Sequence, residues 1–459
     1  MEKKLIVFAL LIINLASFGQ NTNTLSDAEK IYGLSKFWQE VNYNFANFDL
    51  VPKLKWDSAY RVYIPRVLGT KTDFEYYNVL VRFCALLKDG HTRVKYPNDY
   101  YNNRSVTMFG DYQLYIENIE DNAIIVRVNA SKKNEIPIGS KVIEVNGKPI
   151  DDYLNEEIIP YTSASTDFIR RDWSVRAMLW GFYGEKFDMK IKTPAGEIKS
   201  LALTIQKSEE KEYFPPLEPD ELMTFKWLEH GIAYVKLTAF DEEKIDTLFI
   251  EKLPELRKAK GLILDVRDNR GGSDKIGENI AKYLIEDTCF YTMRFKSRKN
   301  IADLKAWADY VTVKDTAGNK EATDVFNCSR NKLFEDRGVH KVVNNIPMKD
   351  KVIVPTVLLI GHETVSAAED FLLCFDKSKH IIKIGENSNG STGVKYCFNL
   401  PGGARGEVCT HHETYPDGRP FVGCGVKPDI EIKRTIDDFV NSRDRALDEA
   451  VKYLNKLIK

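Results

Sequence analysis

Neither sign of charge dominates this chain. Its 66 Lys and Arg face 67 Asp and Glu, for a net charge of −1. No basic patch or acidic tail therefore points to nucleic acid or an anionic membrane surface as partner. Cysteine is scarce and odd in number, at Cys84, Cys289, Cys328, Cys374, Cys397, Cys409 and Cys424. These spacings form neither a zinc motif nor a disulfide framework, and an odd count leaves at least one thiol free. Cys84 and Cys374 fall in apolar helical patterns and read as core; Cys397 and Cys409 are candidates for neighbours on adjacent strands. His411, His412 and Glu413 lack a third spaced ligand, so no metal and no cofactor is expected. No internal repeat is visible, and after the N-terminus no apolar run is long enough to span a bilayer.

What is present begins with "MEKKLIVFALLIINLASFGQ". A basic start, an apolar run and small residues at Ser17 and Gly19 make a secretory signal peptide over 1–19, with cleavage before Gln20. The alternative is a membrane anchor, for which the run from Leu5 to Phe18 is short. The expectation is an exported protein, periplasmic or extracellular, with no stable anchor after cleavage. At 459 residues and 43% apolar content, the remainder should form two or three packed domains.

Those domains read in blocks. Residues 24–105 look helical: Ser26 and Glu29 make a capping box, and Leu34, Phe37, Trp38 and Val41 follow at helical spacing. The same period over Phe74, Tyr77, Leu80 and Phe83 ends in "LKDGHTRV", where Gly90 is expected to break the helix and leave His91 on a short loop. Residues 107–206 switch to short strands, as in "AIIVRVN" and "KFDMKIKTPAGEIKSLALTI". From 223 to 435, strands such as "GLILDVRDN" and "VPTVLLIG" alternate with helices, which argues for a βαβ core with a mixed, largely parallel sheet. Residues 289–350, polar and rich in Lys and Asn, read as an insertion. Residues 436–459 form a terminal amphipathic helix.

Polar signals collect where strands of the core end, the usual place for ligands in an open α/β sheet. "DVRDNRGG" ends in Gly271 and Gly272, whose backbone N–H groups can turn outward toward an anion. "GHETVSAAEDF" turns a buried strand into a helix at Ser366. Ser366 and Glu369 fit a capping box, and Thr364 could cap equally well; a nucleophile is the other reading. A serine hydroxyl needs a base. Of the seven histidines, His91, beside Asp89 and Thr92, is the best placed, whereas His362 on the serine's own loop would point past it.

"GLILDVRDNRGG", "VLLIGHETVSAAEDF", "GENSNGSTG" and "PDGRPFVGCGVKPDIEI", in this order and at this spacing, resemble the tail-specific, or C-terminal processing, serine protease family. "LKDGHTRV" before a β-rich block resembles its tricorn-like branch, and "IPIGSKVIEVNGKPI" resembles the strand pair of PDZ domains. The resemblance implies an α/β, ClpP/crotonase-like core, with an N-terminal helical domain and a PDZ-like module. It implies Ser366 as nucleophile, Ala367 and either Gly271 or Gly272 as oxyanion donors, and Glu369 as a carboxylate that helps orient the base. Family members with a lysine base carry "GKG" where this chain has Ser391, and Lys395 is out of register; the His91 mechanism is therefore expected. No acid stands where the tricorn-like pattern puts its late glutamate, and Asp417 and Glu413 are the nearest. The expected substrates are proteins or peptides, with a non-catalytic peptide binder or a serine esterase as alternatives. The PDZ-like module lies between His91 and Ser366 in sequence and is expected to control access rather than chemistry.

Overall fold

The computed structural model describes residues 24–217, 221–242 and 244–458; the expected signal peptide lies outside them. Three helices come first: α1 (Asp27–Asn44), α2 (Trp56–Leu68) and α3 (Asp73–Ala85). The Ser26–Glu29 capping box opens α1. Helix α3 stops at Ala85, short of Gly90: Lys88 already has a φ of 48°, so the chain turns before the glycine is reached. His91 follows, then strand β1 (Arg93–Lys95).

The next block forms an antiparallel sheet from β2 (Tyr112–Ile119), β3 (Asn122–Asn129) and β4 (Lys141–Val145), then helix α4 (Asp167–Ala177), then β5 (Lys186–Lys192) and β6 (Ile198–Thr204), paired in the order β6-β5-β4-β3-β2. Its strands alternate: β5 buries Phe187, Met189 and Ile191 and exposes Asp188 and Lys190 between them. Period two with one wet face is the pattern of an antiparallel sheet covered on one side.

The central block is built on β7 (Met223–Trp227), β8 (Ile232–Leu237), β9 (Gly261–Asp265), β12 (Thr356–Ile360), β13 (Ile381–Gly385) and β17 (Ile430–Glu431), in the order β7-β8-β9-β12-β13-β17. Only the β7–β8 pair is antiparallel. Both faces are covered, which explains why β9 and β12 are continuous apolar runs. One face, with Leu262, Leu264 and Leu358, packs against α5 (Lys244–Glu251), α6 (Asp274–Ala281) and α7 (Ala367–Leu373). The other, with Ile263, Val357 and Leu359, packs against Ala446, Ala450 and Leu454 of α9 (Arg445–Leu457). The molecule as a whole is mixed α/β: the parallel core sheet is joined to antiparallel sheets.

Packing does not follow the expected boundaries. The 289–350 stretch contributes β10 (Cys289–Arg298) and β11 (Phe334–Val343), which form a sheet with β16 (His411–Thr414) and so join the core rather than hanging off it. Strands β14 (Lys395–Asn399) and β15 (Arg405–Cys409) lie outside the central sheet and form a separate one in which β15 pairs with both β14 and β1. Their Phe398, Leu400 and Val408 enter the same core as Phe37, Tyr77 and Phe83 of the helical block. The terminal segment serves two layers: α9 covers the central sheet, and α8 (Ile436–Val440) packs Ile436 and Phe439 against Ile119 and Ile124 of the antiparallel module. All seven cysteines are free; Cys397 and Cys409 are on adjacent strands but opposite Glu407 and Lys395, not each other.

Candidate active site

The turn after β12 is locked by its own side chains. Thr364 N–H donates to the Gly361 carbonyl (2.9 Å), Gly361 N–H donates to Thr364 Oγ1 (3.1 Å), and that hydroxyl donates to the Val266 carbonyl (2.7 Å). Thr364 therefore ties two strand ends together instead of capping α7. Val365 N–H next donates to the Asn269 carbonyl (3.1 Å), which docks this turn on the one after β9. Ser366 then takes φ 61° and ψ −132°, a conformation that L-residues rarely adopt. Its hydroxyl makes no cap bond to the helix, so the capping box read from the sequence is absent. The hydroxyl instead meets His91 Nε2 at 3.2 Å.

His91 is held on its other side. Its Nδ1 lies 2.7 Å from Ser391 Oγ, and its backbone N–H donates to Asp89 Oδ1 (3.0 Å). Burial, with Lys395 and Arg93 nearby, lowers the imidazole pKa to about 3, so the ring is neutral near pH 7 with a lone pair available. Ser391 is buried and is itself fixed: its N–H donates to Glu369 Oε2 (2.9 Å), and its carbonyl accepts from Ser366 N–H (3.0 Å). Glu369 is fully buried; it also accepts from Gly390 N–H (2.7 Å) and from the Ser388 hydroxyl. Burial raises its pKa to about 7 against those hydrogen bonds. Glu369 thus braces the 388–391 loop and reaches His91 only through Ser391.

The two glycines differ. Gly271 N–H is engaged by the Asn269 side chain (2.9 Å), whereas among the described residues no hydrogen bond is made by the N–H of Gly272 or of Ala367. A Cβ on Gly271 would lie 2.8 Å from Ser366 Cβ and 2.9 Å from Ala367 N. One on Gly272, at φ 139°, would lie 2.2 Å from the Phe240 backbone. Close approach thus requires glycine at both positions.

The remaining candidates lie elsewhere. His362 binds Asp172 (2.7 Å) on α4 and points past the serine. Glu413 contacts His411 (3.1 Å) and Asp417 pairs with Arg419 (2.7 Å), so neither late carboxylate touches His91. Sequence reading missed Ser391 as the histidine's partner, although it had marked Ser391 as standing in the lysine's place. It placed the module beside the site without seeing that part of it lines the cleft. Helix α4 lies inside 107–206, yet Trp173, Arg176 and Ala177 line the cleft over Ser366, a space of ≈ 860 Å³. Ser165 accepts from Gly90 N–H (3.0 Å) and Thr166 donates to the Asn389 carbonyl (3.2 Å). The block builds a wall of the site as well as flanking it.

The arrangement can move a proton from a hydroxyl to an imidazole beside two unused N–H donors. Comparison with known proteins points the same way. Residues 231–432 match Peptidase family S41. The chain is 21% identical over 444 residues to a carboxyl-terminal-processing protease of Synechocystis, covering 95% of this chain and 88% of that one. It is 23% identical over 274 residues to the carboxy-terminal processing protease CtpB of Bacillus subtilis, covering 59% of this chain and 47% of that one. Among solved structures, mature CPAF superposes with a TM-score of 0.70 at 14% identity, covering 94% and 97% of the two chains. A peptidase structure from Parabacteroides merdae gives 0.54 at 17% identity, covering 94% and 97%.

Proposed function

We propose that the chain is an exported serine-type peptidase of the kind found in family S41, which its residues 231–432 match and whose carboxyl-terminal-processing proteases are among its relatives, and that it cleaves proteins or peptides by acyl transfer through Ser366, with His91 as base. The observation that carries this reading is the 3.2 Å contact between His91 Nε2 and Ser366 Oγ. With the ring proton on Nδ1 and directed at Ser391, Nε2 accepts the hydroxyl proton as Oγ adds to the scissile carbonyl. The N–H groups of Ala367 and Gly272 receive the oxyanion; Gly271 is excluded because Asn269 holds its N–H. His91 then passes its proton to the leaving amine as the C–N bond breaks. Water, deprotonated by the same nitrogen, hydrolyses the acyl-enzyme. One oxyanion donor contributes about 3–4 kcal/mol to lowering such a barrier.

In this reading the histidine's partner is a serine hydroxyl, and Glu369 supports it from behind. A histidine base that precedes a β-rich block fits the tricorn-like branch, and 107–206 is assigned as a PDZ-like module that steers chain ends toward the cleft. The division into a helical unit at 24–105, the module and a core over 223–435 is retained as an account of origin, since the packing crosses it. Export rests on the sequence of residues 1–19.

Fluorophosphonate labelling tests the reading. The wild type is expected to be labelled at Ser366 and to degrade unfolded protein. Ser366→Ala should lose both at a stability change of about 1 kcal/mol, the worth of one hydrogen bond. Hydrolysis at wild-type rate by Ser366→Ala would refute it.

A further inference from the structure

The cleft over Ser366 is unevenly charged. Arg93, Arg176, Arg270 and Lys395 line it, against Asp241 and Glu363. Glu363 is already occupied, since both Arg176 and Arg270 pair with it. Glu407 stands across the strand pair from Arg93 but is engaged by Lys95 at 2.7 Å and by Lys395 at 3.7 Å. Arg93 is left without a carboxylate among the described residues. Its Nε donates to the Gly90 carbonyl (2.7 Å), and its guanidinium carbon lies 5.0 Å from the Trp173 ring centroid. The ring contact and the Nε bond together restrict the group. Arg93 lines the cleft two residues from His91, and among the described residues its other guanidinium nitrogens have no carboxylate partner. A planar, pre-set guanidinium suits a carboxylate, which it can bind through two parallel hydrogen bonds. Trp173, Trp180 and Val394 line the same space and would cover the apolar part of such a residue.

We infer that the cleft selects substrates presenting a carboxylate beside the scissile bond, held by Arg93 where it lies on Trp173; this rests on the peptidase reading of the same site. The carboxylate is either an acidic side chain or a chain terminus.

The test uses peptides that are identical except for Glu, Gln or Lys at each position flanking the cleaved bond, each with a free or an amidated C-terminus. Turnover is measured with the full chain, and binding with Ser366→Ala by fluorescence anisotropy. At one position Glu should exceed Gln by roughly tenfold in kcat/KM and in affinity, as a charge-assisted bond would give. That ratio should fall toward one in Arg93→Gln, persist in part in Arg93→Lys, and shrink as salt is raised. A preference that survives amidation identifies an acidic side chain; one that amidation removes identifies the terminus. Equal Glu and Gln at every position, or a ratio unchanged in Arg93→Gln, overturns the inference. If no peptide is turned over and no label is taken up, the peptidase reading fails, and binding to Ser366→Ala still decides the selectivity. Should Arg93→Gln misfold, Arg93→Lys and the salt dependence decide it.

Discussion

At the scale of single residues, the unusual feature is a hydroxyl where a histidine base commonly meets a carboxylate. Ser391 can fix the ring and its tautomer, but it brings no charge to stabilise an imidazolium. Ser391→Ala should therefore lower kcat about 10- to 100-fold with little change in KM, part of what general-base catalysis contributes. Steady-state kinetics on one peptide decides it, and an unchanged kcat would show that Glu369 and the loop backbone suffice. The low pKa of His91 has two consequences. The acid limb of kcat/KM for the free enzyme should lie well below 6.5, the value of an unperturbed histidine. Stability should respond in the same direction. The unfolded chain takes up a proton near 6.5 and the folded His91 only near 3, so this group's contribution is present above pH 6.5 and lost as pH falls below it. Comparing denaturant midpoints of the wild type and His91→Ala at pH 7 and pH 5 isolates that slope, and identical slopes would count against the assignment.

At the scale of elements, α9 does more than close the chain. Asp444 at its start pairs with Arg267 (2.7 Å), which in turn holds Asp265 at the end of β9, where Tyr234 also donates to that carboxylate (2.8 Å). Further along, Leu454 is fully buried against the sheet. Leu454→Ala should cost about 2–5 kcal/mol, as buried leucine truncations do, read as a shift in the denaturant midpoint, while Ser366 remains labelled in the folded fraction. This helix, α1 and the β9 and β12 strands were legible because periodicity and apolar runs are local signals. The exits of elements were less so. Helix α3 ends before Gly90 because Lys88 accepts a positive φ, and the amphipathic run from 244 breaks at Lys252, just before Pro254 begins a new turn. The strand-to-helix turn at Ser366 was legible from small residues after an apolar strand. Ser391 as the partner of His91 was not, since a contact between residues 300 apart leaves no trace in local pattern. The same holds for α4, whose helical sequence says nothing of the cleft it walls.

At the scale of the whole molecule, the parts of the proposed site come from separate stretches that share layers. The 107–206 block lends α4 to the cleft and meets the turn beside Ser366 through the Asp172–His362 pair (2.7 Å). Replacing 110–205 with a flexible linker should therefore abolish fluorophosphonate labelling along with turnover, whereas removing only the 186–204 hairpin should spare labelling in whatever fraction folds. Labelling that survives the full replacement would return the block to a purely gating role. The pairing of β1 with β15 has its own consequence. Thr92, next to His91, accepts from Cys409 N–H (3.0 Å) across 317 residues, and Val94 lies opposite Gly406. Among the described residues, no earlier strand pairs with β1. On a ribosome the segment holding His91 therefore waits, without that pairing, until Arg405–Cys409 has been made, after Ser366. Non-local contacts of this span form last, after their loop-closure cost has been met. The site proposed here is thus incomplete until the strand that holds the His91 segment has been made.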